Sequence, residues 1–317
     1  MATVIGQGRR VRQELPKILH DVFPPELCIE LEGLISEGTP IDEVRLRTDR
    51  LVTVTSGGKN IPLGIRFGRG VIDGIVDLLC DGSLYAYADT ISQGYVTSQG
   101  IRVGIVGRAA VEGERIIGIY DVSALCFRLP RKIRHVGGPV CRLLREFNGQ
   151  SGVLVYSTPG QGKTTLLGSV CYALATGEHA WRVAVVDTRG ELGYALGESE
   201  ICVDILTGYP RGLGLEIAAR TMNSQLCVCD EIGSMAEAEA IIAVQNCGVP
   251  LLATAHAESV EMLLRRTGIL RLHKARVFGA YVGISRRGNA RDYTYRITYW
   301  EEADELITND WCTCSSD

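Results

Sequence analysis

The chain has no run of about 18 apolar residues, so it offers no membrane-spanning helix. It also lacks an excess of either charge: 33 Lys and Arg stand against 37 Asp and Glu, for a net charge of −4. That balance excludes a broad basic face of the kind that grips duplex nucleic acid, although a narrow basic channel stays compatible with it. No apolar stretch follows Arg9, Arg10 and Arg12, which speaks against a secretory signal. Internal repeats and low-complexity segments are missing. Cysteine is not scarce, at 11 residues, but it lacks a pattern, being odd in number and scattered. Cys202, Cys227 and Cys229 sit inside apolar runs, which predicts reduced, core-filling thiols rather than a disulfide framework. Cys312 and Cys314 have no second Cys/His pair at metal-ligand spacing nearby and read as part of a solvated tail.

What is present reads as a soluble globular protein. Residues are 46% hydrophobic and 22% charged, and a length of 317 allows one large domain or two ordinary ones. Residues 10–40 carry apolar positions at helical spacing (Leu15, Ile18, Leu19, Val22), interrupted by Pro24-Pro25. From about 44 to 128 the texture changes to short runs rich in Val, Ile and Tyr broken by glycine, as in Leu51-Val52-Thr53-Val54-Thr55. We therefore expect a smaller α+β domain over 1–135. Pro, Gly and basic residues cluster at 130–139 and mark a linker. Beyond it, nearly all-apolar strands at 152–156, 183–187, 226–230 and 250–254 alternate with helices at 163–175, 213–222 and 236–246. That alternation predicts an α/β domain over 136–300, with a parallel sheet covered on both faces. Two antiparallel strands close it between 275 and 300, joined at Arg286-Arg287-Gly288-Asn289, and 301–317 is left as a C-terminal tail.

The strongest motif is Ser157-Thr158-Pro159-Gly160-Gln161-Gly162-Lys163-Thr164, followed by Thr165. It fits the phosphate-binding pattern Gly-x-x-x-x-Gly-Lys-Ser/Thr except for Ser157 in place of the first Gly, and it lies between a strand and a helix. In such a loop, backbone N–H groups and the helix N-terminus bind phosphate without side chains. Lys163 would reach the β- and γ-phosphates of ATP, and the Thr164 hydroxyl would hold Mg²⁺. The apolar run 226–229 ends in Asp230-Glu231, at a strand end where open parallel sheets bind ligands. Asp230 is expected to hold Mg²⁺, mostly through its water shell, and Glu231 to orient and deprotonate the attacking water. Two further strand ends supply polar groups: Asp187, Arg189 and Glu191 after one, Thr254 and His256 after another. His256 would sense the phosphate or polarise water. No Asn-Lys-x-Asp occurs, so guanine reading is not expected and ATP is preferred over GTP.

Taken together, Gln161-Gly162-Lys163-Thr164-Thr165, Val186-Asp187-Thr188-Arg189-Gly190-Glu191, Asp230-Glu231-Ile232-Gly233 and Ala253-Thr254-Ala255-His256 resemble the type II and type IV secretion-ATPase superfamily. Within it, Ile41-Asp42-Glu43-Val44-Arg45-Leu46-Arg47 and Arg102-Val103-Gly104-Ile105-Val106-Gly107-Arg108 look like segments of the stage III sporulation AA family. The resemblance covers roughly residues 12–300. It implies a RecA-like P-loop ATPase core and a homo-oligomer, a hexameric ring with nucleotide near subunit boundaries. It implies Asp187 and Glu191 as an acidic box, His256 as a histidine box, and Arg220 as an arginine preceding the 226–230 strand. It also implies work in the mother-cell cytoplasm, beside membrane channel proteins of the stage III sporulation set. Arg45, Arg47, Arg102 and Arg108 are candidates for an arginine that reaches the γ-phosphate from a neighbouring domain or subunit; the alternative is pairing with local acids such as Glu43 or Asp49. Ser157, Thr188, Gly190, the segment Asn223-Ser224-Gln225 and Ile101 depart from the family pattern. Two other functions stay open at this level: a RecA-like motor driven by single-stranded nucleic acid, and an ATP-binding switch without substantial turnover.

Overall fold

A computed structural model describes residues 2–6, 13–83, 87–129, 134, 136–188, 190, 192–196, 201–245, 247–286 and 293–313. The chain divides into two compact units, Arg12–Lys132 and Met1–Val11 with Ile133–Asp317. The first strand, β1 (Ala2–Gly6), belongs to the second of these.

In Arg12–Lys132, α1 (Lys17–Val22) and α2 (Pro25–Ser36) come first. Pro25 starts α2 at a position where the missing N–H costs nothing and the fixed φ already suits a helix, which is why the proline pair separates two helices. Then follow β2 (Glu43–Arg47), β3 (Leu51–Ser56), β4 (Lys59–Arg66), α3 (Arg69–Leu79), α4 (Ala88–Ser92), β5 (Tyr95–Ser98), β6 (Ile101–Glu112) and β7 (Arg115–Arg128). The strands form one antiparallel sheet in the order β4-β3-β2-β7-β6-β5. Burial alternates along them: Val44 and Leu46, Val52 and Val54, Val103 and Ile105, Leu125 and Phe127 face inward. Phe23, just after α1, meets Phe127 edge to face at 4.6 Å. The four candidate arginines have local partners here. Arg45 bonds Glu43, Arg47 donates to Thr53 Oγ1 at 3.1 Å, Arg102 lies 3.8 Å over the Tyr95 ring, and Arg108 is 3.2 Å from Asp121.

The second unit runs α5 (Gly138–Glu146), β8 (Gly152–Ser157), α6 (Lys163–Leu174), β9 (Val183–Asp187), α7 (Gly193–Leu196), β10 (Val203–Thr207), α8 (Arg211–Thr221), β11 (Leu226–Cys229), α9 (Met235–Gln245), β12 (Leu251–His256), α10 (Val260–Leu264), α11 (Thr267–Lys274), β13 (Phe278–Arg286), β14 (Tyr293–Tyr299) and α12 (Trp300–Thr313). With β1 these strands make an eight-stranded sheet, ordered β1-β14-β13-β8-β12-β11-β9-β10. The six from β13 to β10 are parallel, and β14 and β1 extend the sheet antiparallel. Alternate residues of each central strand feed two cores. Val153, Val155, Val183 and Val185 meet α5 and α6, while Leu154, Tyr156, Ala184 and Val186 meet α8 to α11. Burial on both faces is the reason these strands read as unbroken apolar runs.

Three expectations need correction. Residues 2–6, expected in the N-terminal domain, pair with β14 in the second unit, Ala2 opposite Ile297 through Gly6 opposite Tyr293. Of residues 301–317, expected as a tail, 301–313 belong to α12, which begins at Trp300: Ala303 is buried, and Leu306 and Ile307 pack on the core. Buried His273 fastens this helix. Its ring stacks on Trp300, meets Tyr281 Oη at 2.8 Å and reaches Asp304 at 3.1 Å. Cys312 falls in α12 and Cys314 lies outside the described residues. Cys227 and Cys229 are buried as expected, but Cys202 is exposed, because it precedes an edge strand rather than a central one.

Candidate functional site

β8 ends at Ser157, and the chain turns through 158–162 into α6. Gly162 sits at φ +91°, and a Cβ there would run into the Tyr293 hydroxyl, so glycine is required twice over. The loop is braced from the β13–β14 pair. The Arg286 backbone N–H donates to Gln161 Oε1 at 2.8 Å, and the Tyr293 hydroxyl donates to the Gly162 carbonyl at 3.3 Å. Ser157 needs no glycine, since its φ is not positive, and its hydroxyl donates to the Thr158 carbonyl at 2.8 Å. Pro159 and Gly160 are exposed. Thr164 and Thr165 follow Lys163 on the first turn of α6.

Lys163 is buried, and its ammonium spends its donors inside the site. Nζ lies 3.3 Å from both the carbonyl and the hydroxyl of Ser157, and 2.9 Å from His256 Nδ1. Burial pushes the Lys163 ammonium below its ordinary value, and the Glu231 charge opposes that push. His256 is the last residue of β12, since the strand runs through it rather than stopping at Thr254 as expected. Its Nε2 lies 2.9 Å from Glu231 Oε1. β12 is inserted between β8 and β11 in the sheet, and that order sets His256 between the lysine beyond one neighbour and the glutamate beyond the other. Lys163, His256 and Glu231, brought from three separate segments of the sequence, thus form one chain of contacts.

Glu231 has φ +39°, the left-handed region that a non-glycine residue enters at a cost. Thr254 holds it there: Oγ1 accepts from the Glu231 N–H at 2.9 Å, and the Thr254 carbonyl accepts from Ile232 N–H at 2.8 Å. Asp230, buried just beyond β11, lies 3.4 Å from Arg211 Nη2. Asp187 ends the adjacent strand β9 and is fully buried. Its Oδ2 accepts the N–H groups of Leu192 at 2.8 Å and Gly193 at 2.9 Å, which braces the loop after the strand. Glu191 and Arg189 lie outside the described residues. Arg220 is 63% exposed and pairs with Glu216 one turn back.

Four contributors went unread in the sequence. Arg211, at the start of α8, meets Asp230. Glu237 accepts from the Gly233 and Ser234 N–H groups. Arg266 donates to the His256 carbonyl at 3.1 Å. Tyr293 braces the 158–162 loop. Of these only Glu237 carried a local signal: Ser234-Met235-Ala236-Glu237 before an apolar helix is a capping box. The others meet the site through the topology of the sheet.

This strand order, with the 157–165 loop after β8 and an acidic pair after β11, is a RecA-like fold. Similar folds occur in the crystal structures of the ATPase DotB of Legionella pneumophila (TM-score 0.58, 14% identity, covering 94% of this chain and 86% of that one) and of the pilus retraction motor PilT with bound ADP (TM-score 0.61, 11% identity, covering 95% and 90%). Residues 30–295 match the family described as sporulation stage III, protein AA, and the chain belongs to that family. The stage III sporulation protein AA of Bacillus subtilis (strain 168) is 29% identical over 255 residues, 78% of this chain and 83% of that protein.

Proposed function

We propose that the chain binds ATP with Mg²⁺ at the 157–165 loop and hydrolyses it, and that a ring of identical chains uses the turnover to drive a membrane channel of stage III sporulation proteins. One observation carries this reading: the Lys163–His256–Glu231 chain of contacts at the carboxyl ends of neighbouring parallel strands. The donor set suits the ligands. Loop amides, the α6 N-terminus and Lys163 match phosphate oxygens. The Thr164 hydroxyl and the Asp230 carboxylate are hard oxygen donors of the kind Mg²⁺ takes. Bound there, Mg²⁺ would neutralise charge on the transferred phosphoryl group.

Glu231 orients the attacking water and accepts its proton. His256 controls that carboxylate. An ammonium only donates, so His256 Nδ1, facing Lys163, accepts, and the ring proton belongs on Nε2, facing Glu231. A phosphate that engages Lys163 competes with the Lys163–His256 contact and so reaches Glu231 through one ring. Asp187 supports the site by holding the loop after β9, and Glu191 completes the acidic pair. Family membership supports a mother-cell, cytoplasmic position beside the membrane, and the near-neutral charge supports protein rather than nucleic-acid partners.

The test is ATP hydrolysis by the purified chain across a protein concentration series, with Lys163→Ala as control. Specific activity that rises with concentration and vanishes in the variant supports sites completed between subunits. A flat specific activity counts against the ring. Turnover retained by Lys163→Ala contradicts the site itself.

A further inference from the structure

Arg211 has no part in the mechanism above, yet it is closely held. Its side chain is 13% exposed. Nη2 lies 3.4 Å from Asp230 Oδ1, Nη1 bonds Glu237 Oε1, and Nε is buried with no hydrogen-bond partner among the described residues. Glu237 is held as firmly. Its Oε2 accepts from the Gly233 N–H at 3.1 Å, the Ser234 N–H at 3.0 Å and the Ser234 hydroxyl at 2.9 Å. Burial would raise the Glu237 carboxyl, but the Ser234 amide and hydroxyl, Arg211 and the Gly233 amide outweigh it and hold the group below its ordinary value. The planar guanidinium thus ties the Asp230 carboxylate to the same Glu237 that pins the turn after Glu231 and starts α9.

We propose that Arg211 is a positioning residue: with Glu237 it fixes the Asp230 carboxylate and the 231–234 turn as one unit, and the response of nucleotide binding to Mg²⁺ depends on it. This rests on the reading of Asp230 as the carboxylate on the Mg²⁺ side. Two effects of Arg211 oppose each other. Its hydrogen bond orients Asp230, while its charge repels a metal ion. Glu237 sits against the same guanidinium and cancels most of that charge, so orientation is the larger effect.

The experiment measures binding of a fluorescent ADP analogue to the full chain, in EDTA and through a Mg²⁺ titration. In the wild type Mg²⁺ tightens binding. Arg211→Gln leaves binding in EDTA unchanged, because the phosphate loop is untouched, and raises the Mg²⁺ needed for half-maximal tightening about tenfold. Arg211→Lys, which keeps the charge but not the fork, recovers part of that loss. Glu237→Gln costs a similar factor, and the double substitution costs little beyond either single one, because the two act as a unit. An unchanged Mg²⁺ response in Arg211→Gln would overturn the proposal, and a tighter one would make Arg211 a competitor of the metal instead. Should Arg211→Gln fail to fold, Arg211→Lys and Glu237→Gln decide the matter by the same shift or its absence. A wild-type chain that binds no nucleotide, or binds it without any Mg²⁺ effect, would instead defeat the ATPase reading itself.

Discussion

Asp187 and Asp230 stand side by side at the ends of two parallel strands. Val186 of β9 is opposite Cys229 of β11, so the two aspartates come next in line, both buried and both behind all-apolar runs. Their surroundings differ because the chain leaves the two strands in different ways. After Asp187 the backbone loops back and offers the amides of Leu192 and Gly193, which occupy Oδ2. After Asp230 the backbone turns away through a left-handed Glu231 held by Thr254, and the carboxylate meets a side chain, Arg211. A strand-end acid that takes up its own loop serves local structure. One whose following turn is held by Thr254 and Glu237 makes contact with a side chain from a helix, Arg211 of α8.

Substitutions at the two positions should therefore separate activity from stability. Asp230→Asn is expected to lower ATP turnover about 100-fold or more, with the melting temperature little changed, as steady-state kinetics and calorimetry would read. Asp187→Ala is expected to act on the fold: it strands two N–H groups and should cost about 1–3 kcal/mol in denaturant unfolding. A stable Asp187→Ala protein with turnover as low as Asp230→Asn would erase the distinction.

Two histidines of the second unit, His256 and His273, sharpen the comparison at a smaller scale. His256 faces the site, while His273 is buried under α12, and burial pushes the His273 imidazolium below its ordinary value of 6.5 although Asp304 opposes the push. The unfolded chain then binds the His273 proton more tightly than the folded one, so stability is full above that value and falls as the pH drops through it. Unfolding at pH 7.5 and 5.5 should show a larger loss in the wild type than in His273→Gln, by about 1 kcal/mol or less. Equal losses would remove His273 from the pH response.

The same contrast explains what the sequence revealed. Strands β8, β9, β11 and β12 were legible because both their faces are buried and nearly every residue is apolar. β10 was not, since an edge strand with Asp204 exposed has no such run. Nor was β1, five residues whose pairing with β14 spans nearly the whole chain. α12 read as tail because its Glu and Asp outnumber its anchors, and its docking depends on His273 and Tyr281 from elsewhere. At the site, Lys163 was legible from the Gly162-Lys163-Thr164 motif, and Asp230, Glu231 and His256 from residue type at or just past strand ends. Arg211 and Tyr293 did not, because an arginine at a helix start and a tyrosine in a strand carry no sign of what the sheet will set opposite them.

The most direct test of the Lys163–His256–Glu231 chain compares Glu231→Gln with the wild type at saturating ATP, measuring nucleotide binding and turnover on the same preparations. The substitution preserves shape and removes only the basic carboxylate. The expected result is unchanged ATP binding with turnover reduced at least about 100-fold. Turnover within a few-fold of the wild type, with ATP still bound, would contradict the role given to Glu231 and leave the site a nucleotide-binding switch.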